Sequence, residues 1–192
     1  MKQIRKIILI LAMGVHAAAI GVAQEMTLPV EDQVPLLMKI LTYDRSLTKG
    51  GNLKIVIGVL YQSSVRSSLT VKEEFLARIK QSDIVRILGQ QPECHALEYV
   101  SESQVLEEMR KFRINVLYVA PLRAVPLQGI RKITIELNVL SITGIPSYVE
   151  AGLSIGIGSK GEKPQIIVNL PSAKQEGADI SSQLLRIAKV LE

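Results

Sequence analysis

The chain has no tryptophan, two phenylalanines and five tyrosines, so aromatic residues make up 4% of its 192 residues. Single-stranded nucleic acid is held on platforms of such rings, and their scarcity speaks against that function. A single cysteine, Cys94, cannot close an internal disulfide, so an exported chain of this kind must be held by its apolar core. Histidine is as rare: His16 and His95 supply no pair at i, i+4 and no zinc-hydrolase ligand set. Gly152-Leu153-Ser154-Ile155-Gly156 has G-x-S-x-G spacing but lies in an alternating strand, not at the strand-to-helix turn that a nucleophile elbow needs. The longest apolar run, Ile7 to Ile20, is short of the ~20 residues that span hydrocarbon. The sequence therefore predicts no catalytic residues, no cofactor and no metal.

What is present points to a globular domain. The chain is 47% hydrophobic and 21% charged, outside the disordered range, and its length suits one domain with a real core. Lys2, Arg5 and Lys6 precede the apolar run, and Gly21-Val22-Ala23 follows it. That order reads as a cleavable signal peptide over 1–23, cut before Gln24, with the domain over 24–192. It predicts an exported protein that does not insert into the membrane once the signal is removed. Three of the 23 basic residues lie in the signal, which leaves 20 against 18 acidic ones. Without a basic stripe to neutralise phosphates, nucleic acid is not an expected partner.

After a loose leader to Pro29, Glu31 and Asp32 favour a helix start, and Val34, Leu37, Met38 and Leu41 give it one apolar stripe. It should stop near Tyr43, before a glycine turn at Lys49-Gly50-Gly51-Asn52. Leu53 to Tyr61 is apolar throughout and β-branched, as a strand covered on both faces must be. Thr70 and Glu73 suggest a capping box for the next helix, with Val71, Phe75, Leu76 and Ile79 inside. Gln81 to Cys94 is unclear and broken by Pro92. His95 to Val100 reads as a strand, Ser101 with Gln104 as a second capping pair before Val105, Met109 and Phe112, and Ile114 to Ala120 as a third strand. Between Arg123 and Gly144 the pattern is double. Leu127, Ile130, Ile133 and Leu137 fit a helix, while Ile133, Ile135, Leu137 and Val139 alternate as in a strand. The strand–helix rhythm favours a helix to about Leu137, then a strand over Val139 to Thr143. Leu153, Ile155 and Ile157, then Ile166, Val168 and Leu170, alternate on either side of a polar link from Ser159 to Pro164, predicting a hairpin at one edge of the sheet. Pro171 opens a short helix and Gly177 closes it. Asp179 is the expected N-cap of a last helix burying Ile180, Leu184, Ile187, Ala188 and Leu191. The fold class is α/β: a single three-layer domain with a mostly parallel sheet and a C-terminal antiparallel hairpin.

No motif carries recognisable chemistry. Gly152, Gly156 and Gly158 lie in an alternating strand with no helix N-terminus behind them, so they pack backbone closely and bind no phosphate. The acid pairs Glu31-Asp32, Glu73-Glu74 and Glu107-Glu108 fall on helix starts or surfaces. Cys94 and His95 are neighbours whose side chains diverge, a poor dyad. Candidate contacts come from geometry instead: in open α/β sheets ligands settle at the C-terminal ends of the strands. That edge brings forward Tyr61, Gln62, Arg66, Arg123 and Tyr148, able to orient a small anionic or polar ligand.

The closing block resembles the YfiR/HmsC family. It runs from a glycine turn through the hairpin to Asn169-Leu170, Ser172-Ala173 and Glu176-Gly177, and on to Ile180-Ser181-Ser182-Gln183-Leu184-Leu185-Arg186-Ile187-Ala188. VPLLMKILTYDRSL and LKIVIGVLY fit the family's layout more loosely. The resemblance implies a small periplasmic protein without enzymatic activity. Its best-known relatives restrain an inner-membrane diguanylate cyclase by binding its periplasmic sensor portion, lowering cyclic di-GMP output and affecting biofilm formation. Related domains also serve as sensory modules, and a periplasmic small-ligand binding or sensory module is the alternative reading; a second copy of the chain, as a homodimer, is a further candidate partner. The chain departs from the family in having one cysteine in place of cysteine pairs, so redox gating does not carry over. It also has Tyr43-Asp44-Arg45 where many members have Trp-Pro, and these three residues join the candidate partner contacts.

Overall fold

The computed structural model describes residues 26–48, 54–81 and 91–192. The expected signal peptide, residues 24–25, the glycine turn with Leu53, and residues 82–90 lie outside them. Seven strands form one sheet: β1 (Val56–Tyr61), β2 (Glu93–Glu98), β3 (Val116–Val119), β4 (Leu140–Thr143), β5 (Ile155–Lys160), β6 (Lys163–Asn169) and β7 (Lys189–Leu191). Their order is β2-β1-β3-β4-β5-β6-β7. Only the β5–β6 pair is antiparallel. The helices are α1 (Val30–Leu41), α2 (Arg45–Thr48), α3 (Arg66–Lys80), α4 (Glu102–Phe112), α5 (Leu127–Leu137), α6 (Pro146–Glu150), α7 (Leu170–Gln175) and α8 (Ser182–Ile187).

Alternation along the strands produces two cores. Ile57, Val59, Val116, Tyr118, Ile142, Ile155 and Ile157 face one side, where Leu37 and Leu41 of α1, Val71 and Phe75 of α3 and Leu184 of α8 cover them. Val56, Leu60, Leu97, Leu117 and Val119 face the other, against Val105 and Met109 of α4, Ile130 and Ile133 of α5 and Tyr148 of α6. The result is the expected three-layer α/β domain. The helix stripe of α1 is buried as the spacing predicts, and α5 followed by β4 settles the double pattern in favour of the helix. Ser101 caps α4, its Oγ accepting from Gln104 N at 3.2 Å. Asn169 caps α7 through Ser172 N at 3.1 Å.

Several boundaries differ from the sequence reading. α3 starts at Arg66 behind Val65, so Thr70 lies inside the helix and caps nothing; Ser68 Oγ instead accepts from Gln62 N at 2.9 Å and fixes the β1–α3 turn. β2 begins at Glu93, because its parallel register with β1 starts at Val56↔Glu93. The hairpin link is tighter than expected: Ser159 pairs with Pro164 and Lys160 with Lys163, which Gly161 allows by adopting φ +62°. The leader is not loose at its end. Thr27 Oγ1 accepts from Ser159 N at 2.8 Å, Thr27 O accepts from Ser159 Oγ at 3.0 Å, and Leu28 O accepts from buried Gln33 Nε2 at 2.6 Å. Pro146 opens α6 in what reads as a loop.

The C-terminal stretch departs most. α8 begins after Ser181, whose side chain makes no capping bond, Ile187 is 66% exposed, and Leu191 lies in β7, which pairs with β6 and takes the sheet edge from the hairpin. Asp179 is not a cap because it is held elsewhere. Its N–H donates to Asp44 Oδ1 at 2.9 Å and its carboxylate pairs with Arg45 at 2.7 Å. Arg45 N donates to Asp179 O, and Ser181 N to Tyr43 O, both at 2.9 Å. This clasp joins the α1–α2 connection to the chain before α8.

Leu184 is fully buried, so Leu184→Ala should lower unfolding free energy by about 2–5 kcal/mol in chemical denaturation. The exposed Ile187→Ala should stay within about 0.5 kcal/mol of the parent. Asp44→Ala strands the N–H groups of Asp179 and Ser46, both of which donate to Asp44 Oδ1. A loss of about 1–3 kcal/mol is expected in the same measurement.

Candidate functional site

The strand order reverses between β1 and β3. α3 leaves β1 toward one face of the sheet and α5 leaves β3 toward the other, and in open α/β sheets such a reversal is where a ligand crevice forms at the C-terminal strand ends. Tyr61, Gln62 and Arg123 meet there. Gln62 Oε1 accepts from Arg123 N at 2.8 Å and bridges the two loops. Ser63 Oγ donates to Glu98 Oε1 from the end of β2. Lys72 Nζ sits 5.1 Å from the Tyr61 ring centroid, within cation–π range. Burial, then the charge and hydrogen bond of Glu98, then the charge of Glu108, push the Tyr61 hydroxyl above its usual range. Tyr61 is thus a protonated donor at neutral pH. Arg66 and Arg123 are exposed at the rim.

Tyr148 has a different place from the other strand-end residues. It is 2% exposed; its hydroxyl accepts from Leu122 N at 2.8 Å and donates to Leu122 O at 3.1 Å. From beneath, it holds the Pro121–Pro126 loop in shape. Ala124 in that loop has φ +56°, a left-handed conformation that costs a non-glycine residue roughly 1–2 kcal/mol. Sequence inspection missed both Ala124 and Glu98: backbone strain has no sequence mark at an alanine, and Glu98 matters only through its register beside Tyr61.

Tyr43, Asp44 and Arg45 belong to the clasp. Asp44 is 1% exposed and its Oδ1 accepts from Ser46 N, Ser46 Oγ and Asp179 N. Tyr43 packs partly against the core, and Arg45, 57% exposed, is the member of the three most open to solvent. Cys94 and His95 do diverge. Cys94 packs on the α1/α3 side, and burial raises its thiol to about 12. His95 stacks on Phe112 at 4.1 Å, with Nε2 2.6 Å from Glu93 Oε1. Among the described residues no group of three or more His, Cys, Asp or Glu is placed to hold a metal ion. A separate cavity of about 380 Å³ lies between α1 and α3, lined by Glu31, Glu74, Arg78 and Gln81 among others; it shares no residue with the crevice.

Several solved structures share the fold. A Streptococcus pneumonia ABC domain in complex with L-Trp superposes with a TM-score of 0.61 at 15% identity, over 85% of this chain and 62% of that one. A conserved domain protein from Vibrio cholerae O1 biovar El Tor gives 0.60 at 16%, over 85% and 60%. A ligand-free, open substrate binding protein with adhesive properties from Clostridium difficile gives 0.57 at 17%, over 84% and 59%. The chain spans about three fifths of the length of these structures, and at such identities the likeness is one of fold. No curated protein matches it. The family model described as YfiR/HmsC-like matches residues 51–189, from just ahead of β1 to the start of β7, and the chain belongs to that family.

Proposed function

We propose that this protein is a periplasmic regulator that binds and restrains the sensor domain of an inner-membrane signalling protein, a diguanylate cyclase, and so lowers cyclic di-GMP output. Membership of the YfiR/HmsC-like family over residues 51–189 carries the reading. The basic and apolar start, Lys2 to Ile20, followed by small residues, supports export by a cleaved signal peptide. The contact surface is the rim of the strand-end crevice together with Arg45. Arg123 and Arg66 are exposed there on loops fixed by Gln62, Tyr148 and Ser68. Surfaces of this kind bind without a large rearrangement, because the loops need little further ordering.

Deleting the gene should raise cellular cyclic di-GMP and surface attachment, and re-expression should restore both. Unchanged levels of both in the deletion strain would overturn the reading. Arg66→Glu and Arg123→Glu replace exposed rim side chains and leave the core intact. Each should weaken capture of the membrane partner by periplasmic crosslinking while the protein keeps its melting temperature.

A second reading is a small-ligand sensory module. It is favoured by the crevice at the β1/β3 reversal and by the fold shared with a substrate binding protein and an L-Trp-bound domain. A ligand bound to the folded state at a hundredfold excess over its Kd would add about 2.7 kcal/mol of stability. A thermal-shift screen of anionic and polar metabolites reads that directly, and a shift abolished by Arg123→Ala would favour this reading over the first.

A further inference from the structure

The stretch from α7 to β7 is fastened near its middle by a carboxyl group that neither reading uses. Glu176 follows α7 and is 2% exposed. Thr134 Oγ1 of α5 donates to its Oε1 at 2.6 Å. The backbone N–H of Ser141 in β4 donates to Oε2 at 2.8 Å, and Ser154 Oγ, just before β5, donates to the same oxygen. Ser154 N donates in turn to Ser141 Oγ at 2.9 Å. One side chain therefore gathers α5, β4 and the start of β5 onto the end of α7.

No cation answers this charge among the described residues. On α5, Arg131 gives Nη2 to Gln175 Oε1 at 2.5 Å, Glu136 pairs with Arg110, and Lys132 is exposed. Lys174 on α7 is exposed, and Lys189 on β7 lies 4.0 Å from Glu150. β4 and the segment Leu153–Ile157 carry no charged side chain. A buried carboxylate without a counter-charge is costly to ionise. Burial pushes the Glu176 carboxyl above its usual range, while the Ser154 and Thr134 hydroxyls and the Ser141 amide pull it partly back.

The surroundings accommodate the neutral form as well. Thr134 Oγ1 also lies 3.0 Å from Arg131 O, so its proton has a second acceptor. A protonated Glu176 can then donate to the Thr134 or Ser154 oxygen while its other oxygen keeps the Ser141 amide. We propose that Glu176 is a proton-binding latch, and that proton uptake at this carboxyl tightens the strap formed by residues 170–191 onto α5, β4 and β5. The same strap carries Asp179 and Ser181, which clasp Asp44 and Tyr43, so the firmness of the latch reaches the base of Arg45.

The sign follows from linkage. A carboxyl group whose folded-state pKa is raised adds stability that is complete below its ordinary value near 4.5 and is lost as pH rises through the folded value. Between those two values, opening of the strap should fall up to about tenfold for each unit of acidification. The test is carboxyl-carbon NMR titration of the purified protein together with hydrogen exchange of the strap amides, corrected for intrinsic exchange, from pH 4 to 8. The Glu176 resonance, identified by its loss in Glu176→Gln, should titrate above 4.5. Strap protection should rise on acidification in the parent and stay high and flat in Glu176→Gln, whose amide donates as the neutral acid does. A Glu176 resonance titrating at or below 4.5 overturns the proposal, as does equal pH dependence of strap exchange in the two proteins. If the variant does not fold, the parent titration decides alone, since no glutamate titrating above 4.5 would sink the latch.

Discussion

β3 has to be dry on both sides. Val116, Leu117, Tyr118 and Val119 are all fully buried, and a strand in that state needs helices above and below it. The rest of the architecture follows from this demand. α4, α5 and α6 meet it on one face; α3 and α1 meet it on the other. α1 precedes the family-matched segment 51–189, yet Val34, Leu37 and Leu41 are 0% exposed and pack on the same core as Tyr118. Gln33 of α1 even accepts from the Tyr118 hydroxyl at 2.8 Å through its Oε1, giving the one polar group in the middle of β3 its partner. The helical prefix is part of the domain and no appendage.

Much of this was legible in the residues. LKIVIGVLY and INVLYVA announce strands covered on both faces, and the 3.6-residue spacing of Val34, Leu37, Met38 and Leu41 announces α1. Reading failed where a distant partner decides the local outcome. Asp179 has the chemistry of an N-cap, but Asp44 and Arg45, more than 130 residues away, claim it first. Ile187 and Leu191 keep helical spacing, but β6 offers a free edge, and the chain straightens into β7 to pair with it. Local propensity loses in both places to a tertiary hydrogen bond.

The site divided along the same line. Tyr61, Gln62 and Arg123 lie together because topology alone brings the ends of β1 and β3 side by side. Tyr148 and Asp44 carry the same kinds of polar group but are sealed inside. A tyrosine or aspartate in a loop shows no sequence difference between lining a crevice and propping its wall. The surface that remains is a set of exposed charges on loops braced from below. The clasp and Glu176 extend the bracing from the crevice loops to the C-terminal strap.

The pairing of Thr27 with Ser159, 132 positions apart, bears on how the chain reaches this state. α1 lays its apolar side on β5 as well as on α3, so its native surface is complete only when the second half of the chain is in place. Contacts of such sequence separation impose a large loop-closure cost before they return any stabilisation, and they slow folding. Until then Val34, Leu37 and Leu41 are covered only in part, by α3 and the first strands. A folding nucleus built from β3, β4 and the helix between them, all within 116–143, escapes that delay, and α1 is expected to dock after it as a late event.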